Sequence, residues 1–89
     1  MPQQDVSIIN RLGLHARAAA KLVKTAQRFE SDVELERDGK RVNAKSIMGL
    51  MMLAASQGVT LTLITDGPDA EEAATAVIDL IADRFGEPE

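Results

Sequence analysis

The chain has 89 residues, 45% of them hydrophobic and 27% charged, which is the balance of one small soluble globular domain with a modest core. It has no cysteine and a single histidine, which excludes disulfides, a thiolate nucleophile and the usual His/Cys metal sites. A net charge of −4, two Phe and no Trp or Tyr argue against nucleic-acid binding, for which both basic charge and stacking surfaces are short.

The opening residues Met1 to Asp5 lack the basic and apolar regions of a signal peptide, and no apolar run approaches the ~20 residues that span a bilayer. A cytoplasmic protein that does not enter membranes is expected. Asp5-Val6-Ser7-Ile8-Ile9 reads as a first strand, with Val6 and Ile8 on one face. Arg11 to Gly13 form a loop, and a helix is predicted from Ala16 to about Arg28. Ala19, Leu22, Val23, Ala26 and Phe29 recur on its buried side, while Arg17, Lys21, Lys24 and Arg28 lie largely opposite.

Asp32-Val33-Glu34-Leu35-Glu36 alternates strictly, as a half-exposed strand does. Asp38-Gly39 is a two-residue hairpin turn, returning through Arg41-Val42-Asn43. Ser46 can cap a short helix from Ile47 to about Leu53, whose core contribution is assigned to Leu50 and Leu53. Taken alone, the pattern favours using all its apolar residues as core. The other reading leaves Ile47, Met48 and Met51 exposed as a partner surface.

Val59 to Ile64 is a further strand, and Asp66-Gly67-Pro68-Asp69 turns into the last helix, with Asp69, Glu71 and Glu72 in its first turn. Ala74, Val77, Ile78, Ile81 and Phe85 form its buried stripe, and Gly86 and Pro88 stop it. The order βαββαβα, with alternating strands that want one covered face, predicts an α+β domain over 1–89. Its four-stranded antiparallel sheet carries three helices on one side. Charge is polarised: through Ser46 there are nine Lys/Arg against six Asp/Glu, and beyond it one against eight. A basic N-terminal face meeting acidic partners is one reading, and ordinary solvated helices the other.

Chemistry centres on Leu12-Gly13-Leu14-His15-Ala16-Arg17. Gly13 permits a sharp bend, so His15 falls at a helix N-terminus. Unpaired amides and the dipole there disfavour the imidazolium, which keeps the ring neutral and nucleophilic. With Arg17 they favour an anion on or beside the ring, such as a phosphoryl group. No Walker A, dinucleotide or nucleophile-elbow motif competes, and no second acid or base is placed near His15. Nucleophilic histidine chemistry on phosphorus is what remains. A non-catalytic interaction domain with His15 as a cap, and a free-standing His-dependent hydrolase, are the readings from other classes.

The runs Leu12-Gly13-Leu14-His15-Ala16-Arg17 and Val42-Asn43-Ala44-Lys45-Ser46-Ile47-Met48-Gly49-Leu50 resemble the HPr family of phosphocarrier proteins of the bacterial phosphotransferase system. The resemblance spans nearly the whole chain. It implies an open-faced sandwich, with phosphate passed from phospho-enzyme I to His15 Nδ1 and on to a IIA-type protein, and no cofactor. It makes Arg17 the phosphoryl-contacting arginine and Ser46 the serine phosphorylated where an HPr kinase/phosphorylase exists. It places Ala16, Ala20, Lys24, Ile47, Met48 and Met51 at the docking surface. Ala18 stands where the family commonly has proline. The run His15-Ala16-Arg17-Ala18-Ala19-Ala20, with Met51-Met52-Leu53-Ala54-Ala55, resembles the nitrogen-related NPr branch more than the sugar-transporting one, which is the second reading.

Overall fold

Polar residues alternate with apolar ones along the strands, so the sheet can cover only one face with helices. The structure, a computed structural model, describes residues 3–89; Met1 and Pro2, the start of the segment read for a signal peptide, lie outside the described residues. The elements are β1 (Gln3–Ser7), α1 (Ala16–Ala26), β2 (Asp32–Arg37), β3 (Lys40–Asn43), α2 (Ile47–Met51), β4 (Thr60–Asp66) and α3 (Ala70–Ala82). A 3₁₀ turn, Arg84–Gly86, follows. The strands form one antiparallel sheet in the order β1-β4-β2-β3. β1 and β2 therefore run the same way with β4 inserted between them, and α1 crosses over one face.

That face is the core. Val6, Ile8, Val33, Leu35, Leu61 and Leu63 from the sheet meet Ala18, Ala19, Leu22, Val23 and Ala26 of α1, Leu50 of α2, and Ala73, Val77 and Ile81 of α3. The opposite face carries cross-strand polar pairs. Ser7 faces Thr60, Thr62 bonds Asp5, and Arg41 reaches Glu36 and Glu34. Such pairs give a one-sided sheet its register without a second layer.

Several boundaries differ from those read in the sequence, each for a tertiary reason. β1 starts at Gln3 rather than Asp5 because Gln3 and Gln4 pair with Ile64 and Leu63. Ile8 leaves the ladder but stays tied by bonds to Val59 and from Gly58. β4 runs on to Asp66, which pairs with Asp32 of β2. α1 ends at Ala26, and 3₁₀-type bonds from Arg28 and Phe29 continue the turn. α2 stops at Met51, after which Ala54 takes φ 50° and Arg37 donates to the carbonyls of Leu53 and Ala54 at 2.9 and 2.8 Å.

The last helix is corrected most. It ends at Ala82, and Phe85 reaches the core from the 3₁₀ turn with φ 55°, next to Arg84 at φ 56°. Asp69 sits at the N-cap position but makes no cap bond. Its carboxylate instead accepts from the Ser31 hydroxyl, from Ser31 N at 2.9 Å and from Glu30 N at 3.1 Å, pinning α3 to the α1–β2 loop. These bonds hold the Asp69 carboxyl below its usual range, led by the Ser31 hydroxyl.

Candidate functional site

The loop between β1 and α1 is shaped by a turn in which Gly13 N donates to Asn10 O at 3.1 Å. Gly13 has φ +69°, and a Cβ there would lie 2.7 Å from Ala55 O and 2.8 Å from Ser56 Cα. Only glycine serves at that point. Leu14, buried, then donates its N–H to Ala55 O at 2.8 Å, which fixes the loop against the segment after α2.

His15 follows as the N-cap residue of α1, extended at φ −79° and ψ 177°, with no side-chain cap bond. Its carbonyl accepts the first helical bond, from Ala19 N at 2.8 Å. The amides of Ala16, Arg17 and Ala18 have no backbone acceptor among the described residues, so the start of the helix offers free donors. The His15 side chain is 28% exposed. Its Nε2 is bonded to Glu87 Oε2, and Nδ1 makes no hydrogen bond among the described residues.

Glu87 corrects the expectation that no acid or base lies near His15. A carboxylate oxygen only accepts, so Nε2 is the donor in this bond to Glu87. Its other oxygen accepts from Asn10 Nδ2 at 2.9 Å, and the same amide nitrogen donates to Gly13 O at 2.8 Å. Asn10 is fully buried. The His15 bond, then the Asn10 bond, hold the Glu87 carboxyl below its ordinary range. The tail is held elsewhere too: Lys21 Nζ donates to Phe85 O at 2.6 Å, and Arg11 bonds Glu89 through both backbone and side chain. Arg17 is exposed. It lines a hollow of about 320 Å³ with Arg11, Leu12, Glu87, Pro88 and Glu89.

A family model described as the PTS HPr component phosphorylation site matches residues 2–83. The chain belongs to the HPr family. A phosphocarrier protein HPr from Cupriavidus necator is 61% identical over 89 residues, covering all of both chains. Among solved structures, HPr-C-His from Thermoanaerobacter tengcongensis superposes with TM-score 0.96 at 49% identity, again over all of both chains. HPr from Bacillus anthracis superposes with TM-score 0.84 at 49% identity, over 88% of this chain and 93% of that one. HPr proteins are phosphocarriers of the phosphotransferase system, so the family does not fit a free-standing hydrolase.

The other residues read from the HPr pattern lie on α1, on α2 and at the N-cap of α2, and the two helices pack together. Ala16, Ala20 and Lys24 are exposed along α1. Ile47, Met48 and Met51 are 43, 77 and 44% exposed, so α2 does not spend all its apolar residues as core. Met52 and Leu12, which the sequence did not single out for docking, are also exposed, at 58 and 67%. Leu50 and Leu53 are buried as expected. Ser46 caps α2, its hydroxyl accepting from Gly49 N at 3.1 Å. The basic face is thinner than the charge count implies, because the Lys21 ammonium is turned onto the tail. Among the described residues there is no group of acidic residues, His or Cys able to hold a metal, and no helix long and apolar enough to cross a membrane.

Proposed function

We propose that His15 is the phosphoryl acceptor of this HPr domain, taking the group from phospho-enzyme I and handing it to a IIA-type protein in the cytoplasm. The observation that carries this reading is the placement of a partly exposed imidazole at the first turn of α1, beside three amides without backbone partners. Phosphorus on Nδ1 would bring its oxyanions toward those amides and the dipole, both favourable to negative charge. Arg17 supplies a fully charged fork at the rim, suited to two phosphoryl oxygens. Ala18 keeps the N–H that a proline would remove, so it adds a donor rather than taking one away.

Docking is assigned to Ala16, Ala20, Lys24, Ile47, Met48 and Met51, an apolar surface with a basic edge fitting acidic, partly apolar partners. Ser46 serves first as a cap. Where an HPr kinase/phosphorylase exists, a phosphate there adds about −1.5 to −2 charge beside the apolar surface and obstructs partners without melting α2. The nitrogen-related regulatory branch is supported by the His15–Ala20 and Met51–Ala55 runs; the sugar-transporting branch is the second reading, favoured by the plain HPr names of the relatives.

The test is incubation with phosphoenolpyruvate and enzyme I, followed by separate IIA proteins of each branch. Acid-labile, base-stable label on His15, absent in His15→Ala and slowed but not lost in Arg17→Ala, is expected. Label elsewhere in the chain overturns the assignment, and the IIA protein that removes the label decides the branch.

A further inference from the structure

We propose that Glu87 is a positioning residue for His15, accepting a hydrogen bond from Nε2–H and thereby leaving Nδ1 as the nitrogen that bonds phosphorus. This rests on the reading of His15 as the phosphoryl acceptor. The two ring nitrogens of a neutral imidazole share one proton, and the partner of one nitrogen decides the state of the other. Here Nε2 faces a carboxylate oxygen, which only accepts, so the proton belongs on Nε2 and the lone pair on Nδ1.

The carboxylate is itself held rigidly. Asn10, fully buried, presents its NH2 to two acceptors, Glu87 Oε1 at 2.9 Å and Gly13 O at 2.8 Å, while its Oδ1 is buried without a partner. A buried amide with an unsatisfied oxygen is costly, so its nitrogen bonds are where it contributes. The tail is brought there by an uncommon backbone, with Arg84 and Phe85 both at positive φ, and Phe85 buried as the anchor. Non-glycine residues in that region carry strain, and such strain concentrates where a segment is needed in one place. The neighbouring charges are Arg17 on α1, Lys21 bonded to Phe85 O, and the Arg11–Glu89 pair.

The step balances simply. The Nδ1 lone pair forms the N–P bond, and the bond from phosphorus to the donor protein breaks with its electron pair remaining on the donor atom. The Nε2 proton stays in its bond to Glu87, so the positive charge gained by the ring is matched by a carboxylate already in place. Onward transfer reverses this: the N–P pair returns to Nδ1 and the ring is neutral again. A triad histidine is oriented by its carboxylate through the same logic.

The experiment uses the full chain with a 15N-labelled histidine ring. In the wild type, a single Nε2–H tautomer with a slowly exchanging proton is expected, and 31P coupling to Nδ1 after phosphorylation. Glu87→Ala should lose the protected proton and accept phosphate about tenfold more slowly at saturating donor, with KM for the donor within about twofold, as when an orienting partner of a histidine is removed. Glu87→Asp, which keeps the charge but shortens the reach, should recover part of the rate. Absence of the protected proton in the wild type, a wild-type rate in Glu87→Ala, or a change confined to KM each overturns the proposal. His15→Ala run in parallel separates the two readings. If it still takes label, the acceptor assignment itself is wrong. If it is inert while Glu87→Ala is unimpaired, only the role of Glu87 is refuted.

Discussion

Gly13→Ala tests whether the loop before His15 is as tightly constrained as its geometry indicates. At φ +69° an alanine meets the left-handed penalty of roughly 1–2 kcal/mol. Its Cβ also meets Ala55 O at 2.7 Å and Ser56 Cα at 2.8 Å, both backbone atoms that cannot swing aside as a side chain does. Forcing such an overlap apart costs about 1–3 kcal/mol. The sum is about 3 kcal/mol, a large share of the ~4–13 kcal/mol expected for a domain of this length. At ~4–8 °C per kcal/mol, the melting temperature should fall by roughly 12–24 °C. Gly39→Ala is the control, since Gly39 has φ +82° but nothing within 4 Å of the added Cβ, and it should lose only the conformational share, about 1–2 kcal/mol. Thermal and urea unfolding followed by circular dichroism measure both. If Gly13→Ala melts no lower than Gly39→Ala, the close approach of the loop to Ala55 and Ser56 is not what selects glycine there.

Ser46→Ala removes the hydroxyl that accepts Gly49 N, and should cost about 1 kcal/mol, read as a fall of roughly 4–8 °C in melting temperature. A shift under about 1 °C would mean that the cap adds nothing to a helix this short. Acid titration bears on Asp69, whose carboxyl is depressed chiefly by the Ser31 hydroxyl. A depressed carboxylate stabilises the fold above its unfolded value near 3.8, and that contribution is lost as the pH falls through and below it. Urea midpoints should therefore drop as the pH falls below about 4, and Asp69→Asn should flatten that acid limb. An unchanged limb in Asp69→Asn would assign the acid sensitivity to other carboxylates.

What was legible in the sequence was what local pattern and turn chemistry control. Asp38-Gly39 gave the hairpin because positive φ at both turn residues, 51° and 82°, suits that pair. The 3.6-residue rhythm of Ala19, Leu22, Val23 and Ala26 gave the buried side of α1, and the one histidine does stand at that helix's N-cap, as its spacing predicts. Strand ends were less legible, since Gln3 and Asp66 join the sheet only because a distant strand lies beside them. Phe85 kept helical spacing with Ile81, so the backbone break between them left no periodic signature. Glu87 lies 72 residues from His15, and no spacing rule connects positions so far apart. An acidic tail behind a buried aromatic was the sole hint, and it reads equally well as a solvated end.

The strand order has a consequence for how the molecule comes into being. The β2–β3 ladder joins neighbours, from Arg37 and Lys40 outward, and can close early. The β1–β4 ladder joins Ser7 to Thr60 and Gln3 to Ile64, so more than two-thirds of the polypeptide must already be synthesised before β1 has anywhere to go. β1 feeds directly into the loop that carries the histidine, and the carboxylate beneath that histidine arrives from the far terminus. With His15 as the acceptor proposed above, readiness to take up phosphate is therefore among the last properties this polypeptide acquires.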